Sequence, residues 1–223
     1  NILLLSYTNR AVDEICSMLD TIGTNPDYVR LGRELSCSPQ FRDHLFAKRI
    51  ADMPKRQDVI NLVQRTSIFV STVSSMSTHS ALFHLKHFHV AIFDEASQIL
   101  EPQLLPILTS PAIDSFIMIG DHKQLPAVVV QDEDKSAVQS PMLHQIGLTN
   151  CRNSFFERLY EQNRANPDIV SMLDHQGRMH PAIADFASQA FYESLLQPVG
   201  LPHQTEQLNL PIYDRDNHIE TLV

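Results

Sequence analysis

One stretch constrains the fold more than any other: Val90-Ala91-Ile92-Phe93-Asp94-Glu95-Ala96-Ser97-Gln98. Apolar residues run straight into two adjacent carboxylates. A short unbroken apolar run bounded by polar residues reads as a strand buried on both faces, the kind that parallel sheets use. The pattern recurs. Ile2-Leu3-Leu4-Leu5 runs into Ser6-Tyr7-Thr8-Asn9, and Ile68-Phe69-Val70 runs into Ser71-Thr72. Ser115 to Ile119 runs into Gly120-Asp121-His122-Lys123-Gln124-Leu125-Pro126. In open α/β sheets, ligands gather at the carboxyl ends of the strands. On a pleated strand Asp94 and Glu95 face opposite sides, one toward a metal–phosphate complex and the other toward a water. The plainer alternative is a solvated strand end.

The intervening segments carry helical patterns. A helix is expected from about Asn9 to Ile22, with Ala11, Ile15, Met18, Leu19 and Ile22 on one face and Gly23 ending it. Thr8 and Asn9 either cap this helix or offer polar groups to a phosphate backbone. After a short strand at 28–31, residues 39–65 turn helical, broken at Met53-Pro54. Arg42, Lys48, Arg49, Lys55, Arg56 and Arg65 lie there, as a nucleic-acid face or simply a solvated one. His79, His84, His87 and His89 invite a metal reading, but no cysteine accompanies them. Gln131 to Pro141 reads as a polar, acidic and mobile segment, and Ser154 as the cap of a helix over 153–160. A boundary at 163–168 leads to an expected strand, Ile169 to Leu173. Next come His175-Gln176-Gly177-Arg178-Met179-His180-Pro181 and a helix through about Tyr192, with a loop-rich tail from Glu193.

With 223 residues there is material for one large domain or two modest ones. The net charge of -9 argues against a generic nucleic-acid coat. It is uneven: residues 1–66 are nearly balanced, and the acidity lies later, so basic partners for phosphate concentrate early. Three scattered cysteines, with no CxxC, argue against a disulfide framework or zinc site and point to a reducing, intracellular compartment. No apolar run reaches the roughly 20 residues of a membrane span. The chain lacks an initiator Met, and the expectation is that it begins inside a longer protein.

Several of these stretches together resemble the superfamily 1 helicases, in the branch of the RNA-surveillance helicases and the Dna-type replication nuclease–helicases. Leu5 to Asp13 is similar to motif Ia, Asp94-Glu95-Ala96-Ser97-Gln98 to motif II (the Walker B box) and Gly120 to Pro126 to motif III. Gln176-Gly177-Arg178-Met179-His180-Pro181 resembles the signature QYRMHP, and Ser71-Thr72 falls where motif Ib is expected.

The resemblance implies an α/β fold: a RecA-like parallel sheet flanked by helices, an incomplete P-loop NTPase fold, with ATP between two such domains. Residues 1–165 would form most of the first domain, with a small helical insertion at about 31–66, and 166–223 would open the second. It also implies roles. Asp94 would hold Mg²⁺ and Glu95 would orient or deprotonate the attacking water. Gly120, Asp121 and Gln124 would border the nucleotide, with Gln124 sensing the γ-phosphate. Arg178 would act as an arginine finger, and Thr8, Asn9, Ser71 and Thr72 would touch single-stranded DNA or RNA. The cofactors are then ATP and Mg²⁺, the partners a single strand and flanking helicase segments of the same parent chain, and the setting cytoplasmic, or nuclear in a eukaryote.

Two departures matter. The phosphate loop GxxxxGK(S/T) does not occur: none of the six glycines precedes a lysine. Gly177 stands where the signature has Tyr. The alternatives are an inactive RecA-like scaffold or interaction module, and a metal phosphohydrolase using Asp94, Glu95 and Asp121. Without the loop that grips the β- and γ-phosphates, purified residues 1–223 are expected neither to hydrolyse ATP nor to unwind a duplex. Robust strand-stimulated phosphate release from that segment would overturn this.

Overall fold

The computed structural model describes residues 1–23 and 26–206, and the backbone of 211–213 and 219–221. Contacts divide the chain into two compact units, Asn1–Arg164 and Ala165–Val223.

The first unit is built on β1 (Ile2–Ser6), α1 (Asn9–Thr21) and β2 (Tyr28–Arg30). Two 3-10 turns, Glu34–Ser36 and Pro39–His44, precede α2 (Phe46–Ile50) and α3 (Arg56–Arg65). Then come β3 (Ile68–Thr72), α4 (Val73–Thr78), β4 (Phe88–Asp94), α5 (Glu101–Leu108) and β5 (Ile113–Met118). Three helices close the unit: α6 (Glu133–Ser136), α7 (Pro141–Gln145) and α8 (Phe155–Asn163). The five strands form one parallel sheet in the order β2-β3-β1-β4-β5. It is the RecA-like, P-loop NTPase type of α/β sheet.

Side-chain alternation along the strands supplies two cores. Leu3, Leu5, Phe69, Ala91 and Phe93 pack with Met76 of α4 and with Leu104 and Ile107 of α5. Val70 and Tyr28 pack with Val12, Cys16 and Leu19 of α1 and with Phe41 and Leu45, while Leu4 is partly buried against them. A strand whose alternate residues meet different helices must be apolar throughout, as the runs are. β5 differs. It is an edge strand that pairs with β4 among the described residues, and Phe116 and Ile117 are 44% and 51% exposed.

Three expectations are corrected. The buried stripe of α1 is Val12, Cys16 and Leu19, whereas Met18 is 70% exposed. Positions 12, 16 and 19 fall on one side at 3.6 residues per turn, and that side meets Tyr28 and Val70. Ile169 to Leu173 is not a strand: the extended pair is β6 (His175–Gln176), which pairs in parallel with β7 (Gln197–Pro198). Ile169 N and Val170 N donate to the Asn166 carbonyl as in a turn, and a neighbouring strand is met only from Asp174, whose carbonyl accepts from Gln197 N at 2.7 Å. Gln131 to Pro141, expected to be mobile, holds α6, and Arg152 Nη1 donates to the Gln131 carbonyl at 2.7 Å.

The second unit also contains α9 (Pro181–Phe191), α10 (Pro202–Thr205) and an antiparallel pair, β8 (Pro211–Tyr213) with β9 (Ile219–Thr221). No described helix is long and apolar enough to cross a membrane.

Burial separates the thiols. Cys16 and Cys37 are buried and Cys151 is exposed, and burial pushes the Cys16 thiol up to about 12 and raises that of Cys37. Because the thiolate is the reactive form, an aromatic disulfide reagent is expected to modify one cysteine in the native protein and all three after denaturation. Rapid native modification of Cys16 would contradict this packing.

Candidate functional site

The parallel register lines up the ends of three strands. Ser6 of β1 is paired with Thr72 of β3 on one side and Asp94 of β4 on the other. The loops that follow these strands therefore leave the same edge of the sheet, together with the loop after β5.

At the first loop, Thr8 Oγ1 accepts from Ala11 N at 3.1 Å and caps α1. Thr8 and Asn9 are exposed. At the β3 loop, Thr72 Oγ1 accepts from Ser75 N at 3.0 Å and caps α4. Ser71 and Thr72 are both buried, and the Ser71 hydroxyl donates to the Thr72 carbonyl at 2.8 Å. Of the four residues expected to meet a strand, Thr8 and Asn9 present side chains to solvent, while those of Ser71 and Thr72 are engaged inside.

Asp94 closes β4 half-buried. Glu95 is not on the pleat. It turns left-handed, at φ 54° and ψ 37°, a conformation that costs a non-glycine residue about 1–3 kcal/mol. The opposite-face arrangement expected for Asp94 and Glu95 is thus replaced by a sharp turn, and the Glu95 carboxylate accepts from Gln98 Nε2 at 2.8 Å.

Backbone bonds join this turn to the loop after β5. Ile119 N donates to the Phe93 carbonyl, and Ala96 N to the Ile119 carbonyl, each at 2.8 Å. Gly120 follows at a close approach: a Cβ there would lie 2.8 Å from Ser97 N and 3.2 Å from Ala96 N. Asp121 N donates to Ser97 Oγ at 3.3 Å. The Asp121 carboxylate accepts from Lys123 N and from Gln124 Nε2, both at 2.9 Å. Asp121 therefore acts as the organiser that aims Gln124. His122 packs on Tyr160 of α8 with ring centroids 4.5 Å apart, and α8 is clamped to α5 by the ion pair of Arg158 with Glu101, both about 10% exposed.

The donors fit magnesium. Mg²⁺ prefers one or two carboxylates and keeps several waters. Asp94 supplies a half-buried carboxylate beside Ser6, whose buried hydroxyl has no hydrogen-bond partner within the protein. No described group of three His, Cys, Asp or Glu residues is placed to hold a metal. His79, His84, His87 and His89 thus form no metal cluster, and His87 Nε2 instead meets Asp114 at 2.7 Å.

In the second unit the Gln176 amide organises its own loop. Its oxygen accepts from Arg178 N and Met179 N at 3.0 and 2.8 Å. Buried Gln204 adds bonds to the carbonyls of Gln176 and Met179 at 2.9 and 3.0 Å. His180 Nδ1 accepts from Ala182 N at 3.2 Å and caps α9. Arg178 is exposed, and its guanidinium makes no ion pair among the described residues. Asp174 and Asp185 are engaged elsewhere, with His175 and Gln189. The His175 contact holds the Asp174 carboxyl below its ordinary range.

Sequence reasoning missed Ser97, Glu101, Arg158 and Gln204. Ser97 lies inside a stretch already singled out, so its hydroxyl was a findable signal. Glu101 and Arg158 are 57 residues apart and nothing local marks them as partners.

Two family models, each described as an AAA domain, match residues 48–132 and 151–221. The chain belongs to the superfamily 1 helicases. It is 30% identical to the DNA replication ATP-dependent helicase/nuclease JHS1 of Arabidopsis thaliana, over 86% of this chain and 13% of that protein. It is 28% identical to the DNA replication ATP-dependent helicase/nuclease DNA2 of Xenopus laevis, over 100% of this chain and 19% of that protein. The DNA-binding protein SMUBP-2 of Rattus norvegicus is 33% identical over 62% of this chain and 13% of its own length. The chain thus spans less than a fifth of these relatives.

The approach at Gly120 gives a stability test. Gly120→Ala is expected to cost about 1–3 kcal/mol, because a backbone nitrogen cannot step aside as a side chain can. Gly23→Ala, where a Cβ meets nothing within 4 Å, is expected to be neutral or slightly stabilising. Thermal melting of both variants checks the contrast.

Proposed function

We propose that this chain is part of the motor core of an ATP-dependent helicase or translocase, coupling ATP hydrolysis to movement on single-stranded DNA or RNA. The observation that carries this is the backbone link between the Asp94–Glu95 turn and the loop bearing Asp121 and Gln124. Such a link joins a hydrolysis site to a sensor.

Phosphoryl transfer to water is catalysed by positioning and charge stabilisation more than by covalent chemistry. Asp94 would hold Mg²⁺, through water. The bound cation would neutralise charge on the phosphate oxygens. Glu95 accepts a proton from the attacking water or fixes its orientation, and its strained backbone holds the carboxylate at the strand end. Gly120 lets the loop after β5 lie close to the turn. Gln124, aimed by Asp121, would report the γ-phosphate to the strand contacts. Arg178 offers a planar, permanently charged donor set for the transferring phosphate. Thr8 and Asn9 would touch the strand's backbone, with Ser71 and Thr72 contributing from within the adjacent loop. Phosphate contacts of this kind position a strand without reading its sequence. In this reading residues 1–165 serve as the first motor domain, 31–66 as its insertion and 166–223 as the start of the second, and the enzyme works inside the cell. Three of the six basic residues at 39–65 pair with acids: Arg42 with Glu34, Lys48 with Asp43 and Arg49 with Asp27. That favours a solvated face there.

The test is ATP turnover by the intact protein, with and without a single strand. Glu95→Gln is expected to lower strand-stimulated turnover by about 10²-fold or more, and Arg178→Ala by about 10³-fold, with oligonucleotide affinity little changed. A Glu95→Gln enzyme as active as the parent would remove Glu95 from this role. Absence of any turnover in the intact protein would favour the inactive scaffold.

A further inference from the structure

Arg30 is the largest fully buried side chain described, at 0% exposure. It ends β2, which β3 and β1 separate from the strand that leads into Asp94 and Glu95. Its Nη2 lies 2.8 Å from Asp13 Oδ1 and donates to the Ser36 carbonyl at 3.2 Å. Asp13 stands in the second turn of α1, the helix that Thr8 caps. The other Asp13 oxygen accepts from Ser38 N at 3.1 Å and Ser38 Oγ at 2.7 Å. Through one carboxylate, then, the start of α1 is tied both to β2 and to the segment Ser36–Ser38. Gly32 passes over the guanidinium with φ +142°, and a Cβ there would lie 3.2 Å from Arg30 Nη1 and 3.9 Å from Ser75 Oγ. Ser75 is the residue whose amide donates to Thr72. Arg30 is thus tied directly to α1 through Asp13, and Gly32, lying over its guanidinium, also comes near the first turn of α4, the helix that Thr72 caps.

Stability alone is a weak reason to keep such a group. Burying a guanidinium is expensive, and replacing a buried ion pair by apolar residues is often neutral or stabilising. Here Nε and Nη1 have no partner within the protein, which adds to the cost.

Resting on the strand-binding reading above, we propose that Arg30, acting through Asp13, is a positioning residue: it fixes the Thr8–Asn9 loop in the geometry that engages a single strand. Arg30 does not touch the strand. Its part is to hold α1 against Ser36–Ser38, so that the exposed Thr8 and Asn9 meet phosphates without first having to be ordered. Ordering a loop at the moment of binding subtracts from affinity, and a pre-set loop avoids that loss.

The test uses the intact protein, Arg30→Lys and Ser38→Ala, and a fluorescein-labelled oligothymidine read by anisotropy over a salt series, with ATP turnover in parallel. Lys keeps the charge but not the planar fork. Ser38→Ala leaves the ion pair and removes one hydroxyl, so it tests the idea even if Arg30→Lys does not fold. Arg30→Lys is expected to weaken strand binding by about tenfold and Ser38→Ala by about threefold. Turnover without strand, and turnover at saturating strand, should stay within a factor of two or so. Because no phosphate contact is lost, the slope of log affinity against log salt should be unchanged.

Unchanged affinity in folded variants would overturn the proposal. So would a salt slope reduced by about one, which would make Arg30 itself a phosphate contact, or a proportional fall in every activity, which would make its role purely structural. Failure of the unsubstituted protein to bind any strand would instead overturn the strand-binding reading, and this inference with it.

Discussion

The site depends on two backbone hydrogen bonds at the end of β4. Ile119 N to the Phe93 carbonyl and Ala96 N to the Ile119 carbonyl continue the sheet ladder past the point where both strands stop being regular. With them, the turn at Asp94–Glu95 and the loop from Gly120 become one rigid body. Without them, Glu95 would have little to hold it in a left-handed conformation, and Asp121 would have no fixed place from which to aim Gln124. The approach is so close that only glycine fits at 120 without displacing a main-chain nitrogen. Several side chains expected to act on one phosphate therefore owe their placement to main-chain geometry, which tolerates many substitutions nearby but few at the glycine.

Longer-range stitches use charge. Glu101 with Arg158 joins α5 to α8, and Asp13 with Arg30 joins α1 to β2. In each case the ends lie far apart in sequence, and each pair leaves polar atoms unpartnered within the protein: Glu101 Oε2 and Arg158 Nε in one, Arg30 Nε and Nη1 in the other. Removing one partner of a buried pair costs about 3–5 kcal/mol, because the remaining charge is stranded. These pairs define which parts of the first unit move together, and both have one end on the helix that follows a motif loop.

The strands were the most legible part. Apolar runs, each ended by polar residues, mark β1, β3, β4 and β5; burial on both faces dictates the first three, whereas β5, expected to be buried, is an exposed edge strand. The edge loops were legible for the same reason. The buried face of α1 was not. Ala11, Met18 and Ile22 are as apolar as Val12 and Cys16, and only the position of the Thr8 cap and the neighbours Tyr28 and Val70 decide which stripe is covered. Ile169 to Leu173 misled because composition favours extended backbone but a strand needs a partner, which the chain finds only from Asp174. Gln204 was invisible: a polar residue in a loop-rich tail gives no sign that its amide will be buried and hold the Arg178 loop.

β5 has a consequence for handling the protein. Its outer edge is unpaired among the described residues, and Phe116, Ile117 and Ile119 stand exposed along it and just beyond it. An uncovered apolar edge is adhesive toward any other extended chain. Because the loop with Gly120 and Gln124 continues directly from this strand, whatever pairs there bears mechanically on that loop. Material in which the edge has been captured by the wrong strand would keep its helical and sheet content. It would carry a displaced Gln124 while looking well folded by spectroscopy.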